Sequence, residues 1–160
     1  MYQIKWHKLN PTARIPTKRA EDSGYDLYTI EDNVILPPHS KHLFSTGLTY
    51  WIDKNHWLKV EDRGSTGSKG LHVHCGICDQ GYRGEIFICI SNDNDYPFFI
   101  TSNPQQTMGY EHVYPTSKGI AQIIPMDLLE GVSEEITDDE WELIKNDSER
   151  GMGKLGASGK

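Results

Sequence analysis

Residues 76–86 read GICDQGYRGEI, and the rest of the chain can be read outward from them. An apolar pair leads into Asp79, a glycine-containing turn follows, and Glu85-Ile86 resumes an apolar stretch. Apolar residues, then Asp and Gly, then apolar residues again is the pattern of strand, turn, strand. Asp79 is thereby placed at a strand end facing a cavity, where a carboxylate can take a proton from water. Tyr82 offers a flat apolar face to a sugar or a base. The ordinary alternative is a hairpin whose turn residues are merely polar.

The same pattern recurs on both sides. Residues 1–8 alternate at period two, with Tyr2, Ile4 and Trp6 on one face. Short strands are predicted over 27–30, 33–36 (closed by Pro37-Pro38), 41–50, 57–60, 71–78, 85–91 and 119–125. Many short strands separated by turn signals predict an all-β sandwich or barrel. Two stretches differ. Residues 133–147 place Ile136, Glu140, Leu143 and Ile144 at helical spacings, with Asp138-Asp139 as the expected cap of a short surface helix. Residues 92–117 carry three prolines and three tyrosines and read as a long irregular loop. The last residues, ERGMGKLGASGK, hold four glycines and no apolar periodicity, so composition predicts a flexible arm over 149–160 behind a domain spanning 1–148.

Composition narrows the function. A chain of 160 residues suits one sizeable core. Sixteen basic against 23 acidic residues leave a net charge of −7, which argues against binding nucleic acid along its backbone. A nucleotide remains admissible, because a few local cations can hold a triphosphate. No apolar run is long enough to span a bilayer, and the N-terminal residues lack the apolar core of a signal peptide. Three cysteines make no disulfide framework, so the expected compartment is the reducing cytoplasm.

Four further segments carry chemistry: EDSGYDLYT (21–29), EDRGSTGSKG (61–70), GIAQIIP (119–125) and RGMGKLGASG (150–159). Glycines, serines and a threonine beside Arg63 can form a nest of amides for phosphate oxygens, or a plain turn between strands. Asp26 follows a glycine turn and can orient a metal-bound water or the phosphate-binding groups; a turn aspartate is the ordinary reading. Gln122 lies inside an apolar strand, so its amide must bond backbone or face a site. Arg150 can grip a terminal phosphate with two donors, and the glycines around it permit close backbone approach.

In this order the five segments resemble the trimeric dUTPase family, and the resemblance spans nearly the whole chain. It implies a jelly-roll-like β fold of the dUTPase type with a short helical insertion, assembled as a homotrimer with shared active sites. The implied reaction converts dUTP to dUMP and pyrophosphate with Mg²⁺ held mainly by substrate phosphates and water, keeping uracil out of DNA and supplying dUMP. By the same resemblance Asp79 would activate the attacking water and Tyr82 would pack on the deoxyribose. Backbone groups of the hairpin beginning at Gly76 would read the uracil edge. Arg63, Gly64, Ser65 and Gln122 would hold the phosphates, and Asp26 would support the metal–phosphate arrangement. Arg150 and Ser158 would bind the γ-phosphate while Leu155 covers the base. The chain departs from the family at Gly64, where serine is usual, at Cys78 for isoleucine and at Gly119 for arginine. In the last motif Lys154 stands for glycine, Leu155 for an aromatic residue and Ala157 for serine.

Three other readings compete. A dCTP deaminase would share the fold and trimer but place a catalytic glutamate in the third-motif region, where this chain has the dUTPase-like GICDQGYRGE. A dUTPase-fold regulatory protein would use 92–117 or 133–147 to meet a partner protein. A zinc site could draw on His72, His74, Cys75 and Cys78, although in a continuous strand Cys75 points away from both histidines.

Overall fold

The computed structural model describes residues 1–145, 147 and 148. Among them the chain forms twelve strands and two short helices. The strands are β1 (Ile4–Lys8), β2 (Tyr25–Leu27), β3 (Val34–Leu36), β4 (Ser40–Ser45), β5 (Leu48–Ile52) and β6 (His56–Glu61). A single helical turn, α1 (Gly64–Gly67), separates these from β7 (Leu71–His74), β8 (Ile77–Cys78), β9 (Phe87–Asn92), β10 (Phe98–Thr101), β11 (Val113–Pro115) and β12 (Ala121–Asp127). Four small sheets result, ordered β1-β5, β11-β10-β3, β2-β12-β6-β8 and β4-β9-β7. The architecture is all-β and jelly-roll-like. Residues Met1–Leu129 form one compact unit, and a second begins at Glu130.

Alternation along the strands builds the core. In β5, Leu48, Tyr50 and Ile52 point inward while Trp51 faces out. Leu27, Phe44, Leu58, Ile88 and Ile123 are likewise fully buried, each worth roughly 1.5–3 kcal/mol relative to exposure.

The strand pattern departs from the sequence expectation where backbone geometry intervenes. Residues 41–50 are two strands, because Gly47 takes φ +65° and Thr46 turns its hydroxyl to the Ile86 carbonyl at 2.6 Å. Residues 71–78 are likewise two strands, broken at Cys75 with φ +55°. The 92–117 stretch is ordered by β10 and β11, with β10 at the centre of its sheet. Every residue of β10 is buried, so its sequence, FFIT, shows no alternation.

The helix expected in 133–147 is α2 (Asp138–Ile144). Its cap is Thr137 and not the two aspartates: the threonine hydroxyl accepts from the Glu140 amide at 3.3 Å, and the Glu140 carboxylate accepts from the Thr137 amide at 2.7 Å. Asp138 and Asp139 occupy the first turn, where negative charge suits the helix dipole.

What positions the site is β12. It lies between β2 and β6, so Gln122 is register partner to Asp26 on one side and Glu61 on the other. Arg63 follows directly at the end of β6.

Candidate active site

The first, second and fourth motif segments meet at these strand ends. Ala121 and Ile123 point into the core, which turns Gln122 the other way. Its amide nitrogen donates to the Asp62 carbonyl at 2.7 Å. A side chain on Gly24 would stand 2.5 Å from the Gln122 carboxamide oxygen, so glycine is needed there to admit the glutamine. Arg63 forks onto Asp26, with Nε to Oδ1 at 2.8 Å and Nη2 to Oδ2 at 3.0 Å. Its Nη1 donates to the Gly119 carbonyl at 2.9 Å and to Ser65 Oγ at 3.2 Å. The two side chains remain 25% and 34% exposed.

Around this pair lies an open depression of about 520 Å³, bordered by Arg19, Asp22, Gly64, Ser65 and Gln122 among others. Its charged lining consists of two arginines and three carboxylates, Glu21, Asp22 and Asp26. Arg19 is itself paired with Asp22 at 2.9 Å, and its hydrogen bonds hold the Asp22 carboxyl below the usual carboxylate range.

The amide nest suggested by EDRGSTGSKG takes a different form. The amides of Thr66, Gly67, Ser68, Lys69 and Gly70 bond carbonyls three or four residues back, as in a helical turn. That leaves the leading amides of Gly64 and Ser65 unused inside the turn. Two residues that the sequence did not single out complete this side. Tyr114 donates to the Gly119 carbonyl at 2.8 Å and contacts Ser65 Oγ at 3.1 Å. Asp62 accepts from the Val73 amide at 2.6 Å and from His72 Nδ1 at 2.8 Å. No motif marks Tyr114; Asp62 is visible only as the acidic neighbour of Arg63.

Asp79 and Tyr82 stand elsewhere. β8 pairs with β6 through Leu58 and Cys78, and Asp79 follows as the turn begins. The Tyr82 amide donates to the Asp79 carbonyl at 3.0 Å. The same carbonyl accepts the buried Tyr50 hydroxyl at 2.5 Å. Burial, more than the neighbouring charges, pushes the Tyr50 phenol well above its ordinary pKa, so it remains a donor. The Asp79 side chain is exposed and borders two cavities. One, of about 400 Å³, is shared with Trp57, Ile77 and Leu128. The other, of about 250 Å³, is walled by Leu43, Tyr82, Phe87 and the three cysteines. Tyr82 is steadied by its hydroxyl, which donates to the Glu85 carbonyl at 2.7 Å, and its ring lies 6.5 Å from that of Tyr50.

Gly76 has a packing reason of its own: a side chain there would stand 2.2 Å from the Val60 carbonyl oxygen, and its own carbonyl accepts the Val60 amide at 2.7 Å. Within one chain, then, the Asp26–Arg63–Gln122 depression and the Asp79 cavities have no lining residue in common. Arg150, Leu155 and Ser158 lie outside the described residues.

A zinc centre does not assemble. Among the described residues no three His, Cys, Asp or Glu side chains converge as a metal cluster. His72 is engaged by Asp62, and His74 Nε2 contacts Ser91 Oγ at 2.9 Å.

Comparison with known proteins finds relatives of one family. The family model described as dUTPase matches residues 10–105. The deoxyuridine 5'-triphosphate nucleotidohydrolase of Nautilia profundicola is 30% identical, over 99% of this chain and 99% of its own length. That of Clostridioides difficile is also 30% identical, again over 99% of both chains. Among solved structures, a Staphylococcus bacteriophage 80alpha dUTPase with dUPNHPP superposes with a TM-score of 0.77 at 22% identity, covering 99% of each chain. Native EIAV dUTPase gives 0.64 at 20% identity, over 86% of this chain and 98% of that one.

Proposed function

The chain belongs to the dUTPase family, and on that premise we propose that it hydrolyses dUTP to dUMP and pyrophosphate, with Asp79 as the group that takes the proton from the attacking water. The observation that carries this reading is the state of Asp79. Its main chain is pinned by Tyr50 while its carboxylate is open to solvent at the edge of two cavities. A base held in place but free to receive a proton is what water activation needs.

The remaining roles are part of the same proposal. Tyr82 supplies an apolar wall beside Asp79, which suits a deoxyribose and leaves a ribose 2′-hydroxyl without a partner. Gly64, Ser65 and Arg63 line the depression and would supply phosphate donors: the two leading amides, the Ser65 hydroxyl, and the positive charge and one remaining Nη2 hydrogen of Arg63. Asp26 orients the Arg63 guanidinium through its two-pronged pair. This lining holds more carboxylates than arginines, so a triphosphate needs positive charge from elsewhere. Mg²⁺ carried on the phosphates would supply it. The residues fit that mode better than a protein-held metal, because Asp22 and Asp26 already face arginines. Arg150 would add a further cation, with Leu155 over the base and Ser158 on the terminal phosphate.

A homotrimer of the kind the family resemblance implies would let neighbouring copies complete each site, since the depression and the Asp79 cavities share no lining residue within one chain. Three free cysteines suit a reducing cytoplasm. Among the described residues no helix is long and apolar enough to cross a membrane. The physiological consequence is a lower dUTP pool and a supply of dUMP.

A nucleotide panel tests the proposal. Protein with Mg²⁺ is offered dUTP, UTP, dTTP and dCTP, and monophosphate, pyrophosphate and ammonia are measured. Selective release of dUMP and pyrophosphate from dUTP is expected. Comparable turnover of UTP, or ammonia released from dCTP, overturns it.

A further inference from the structure

The sequence holds three cysteines, and all three border the 250 Å³ cavity that also holds Asp79 and Tyr82. They differ in environment. Cys78 is buried on β8, and burial, followed by the nearby Asp79 charge, pushes its thiol up to about 11, so little thiolate exists near neutrality. Cys75 is exposed, and Cys89 is half-buried on the central strand of its sheet.

Backbone geometry brings Cys75 and Cys89 together. Cys89 is the register partner of His74, so Cys75 is one step along from it. In a continuous strand that step would send the Cys75 side chain to the opposite face. The left-handed φ of +55° at Cys75 ends the strand and breaks the alternation. Its side chain therefore reaches the same cavity as Cys89. Burial raises the Cys89 thiol pKa first, and neighbouring Cys75 adds to it. One ladder step from a paired position puts the two Cα atoms roughly 6 Å apart, within the span of a disulfide.

We propose that Cys75 and Cys89 form a thiol–disulfide modification site whose closure by a low-molecular-weight disulfide narrows the cavity beside Asp79. The chemistry balances as two exchanges. The Cys75 thiolate attacks one sulfur of a small disulfide such as glutathione disulfide, breaking its S–S bond and releasing one small thiolate. The Cys89 thiolate then attacks the Cys75 sulfur of the mixed disulfide, releasing the second. The protein gives up two electrons and two protons, and the small disulfide is reduced to two thiols. The new bond draws the 74–77 connection onto β9, so Ile77, Cys78 and Asp79 shift toward the cavity they border.

The effect on turnover rests on the proposed dUTP reaction, whereas the bond itself does not. Full-length protein is incubated with glutathione disulfide and, separately, with dithiothreitol. Free thiols are expected to fall from three to one, and non-reducing peptide mapping should recover one cross-link, Cys75 to Cys89. Turnover of dUTP in the oxidised protein should fall roughly tenfold or more and return with dithiothreitol. In Cys75→Ser the ratio of oxidised to reduced turnover should lie near one, whereas Cys89→Ser should stop at a glutathione adduct on Cys75 with no cross-link in the peptide map. In the parent protein, a stable glutathione adduct at Cys75 without the cross-link, or a cross-link to Cys78, overturns the site. A Cys75–Cys89 bond that leaves turnover unchanged overturns its closure of the cavity. Reduced protein inactive on dUTP would refute the proposed reaction alone, since thiol count and peptide map still decide the cross-link.

Discussion

The buried phenol of Tyr50, the middle residue of β5, donates to the main-chain carbonyl of Asp79 at 2.5 Å, and so ties the turn after β8 to a strand of a different sheet. The bond fixes where the Asp79 carboxylate begins without occupying it. Tyr50→Phe keeps the ring and removes the donor. Unfolding in urea should show a loss of about 1 kcal/mol, the usual net worth of one hydrogen bond. Turnover of dUTP should fall several-fold more than binding of dUMP, because placement of the base matters most in the transition state. Equal kcat in variant and parent would show that the turn holds itself.

Asp79→Asn preserves shape and removes the proton acceptor. A drop in kcat of roughly 10²–10⁴-fold is expected, the usual contribution of a general base. Calorimetric titration with the non-hydrolysable dUPNHPP should show little change in affinity. A variant that turns over dUTP near the parent rate would exclude Asp79 as the base.

Two glycines of the site should respond in opposite ways. A side chain built on Gly64 meets nothing within 4 Å, so Gly64→Ser should fold with stability changed by only about 0.5 kcal/mol, as at ordinary surface positions. Its hydroxyl would enter the phosphate depression, and the KM for dUTP is expected to fall. Gly76→Ala would press a methyl group to 2.2 Å from the Val60 carbonyl. Separating β8 from β6 to relieve that contact should cost about 1–3 kcal/mol, measured as a lower urea midpoint.

Acid should weaken the packing of the 92–117 stretch before it affects the core. Asp32 accepts from the Ser102 hydroxyl and amide, each at 2.6 Å, and these bonds hold its carboxyl below the ordinary value. A depressed folded-state pKa means that the stabilisation is complete above the unfolded-state value. It is then lost as pH falls through the folded-state value. The window therefore opens near pH 3.8 and extends downward. Urea midpoints at neutral pH and down through that window should fall for the parent protein. The decline should be shallower for Asp32→Asn, and parallel slopes would assign the acid sensitivity to other carboxylates.

Much of this was legible in the residues. The short strands and the five ordered segments mark the all-β fold, and Asp26, Arg63, Ser65 and Gln122, singled out in three separate segments, line one depression. What was not legible depends on register or on one dihedral angle. Tyr50 is an ordinary inward strand residue until its partner across the fold is known. β10 escaped notice because burial on both faces erases the alternation that marks a half-exposed strand. Arg63 and Asp26 were each suspected of meeting phosphate or metal, but nothing in their spacing says that they grip one another. Cys75 was expected to point away from its neighbours, and the positive φ that breaks the strand cannot be read from a cysteine.

The central place of β12 also sets when, during synthesis, this face can exist. β2 and β6 leave the ribosome early, yet they do not pair with each other; each pairs with β12. Until Ala121–Asp127 has emerged, Asp26 sits on β2 and Arg63 just beyond β6 with the place between those strands unfilled, and Gln122 is absent. A nascent chain therefore has no phosphate face to offer a nucleotide. Closing the gap demands contacts between residues far apart in the sequence, the kind that slow folding. The unpaired edges of β2 and β6 meanwhile are what a chaperone would find to cover.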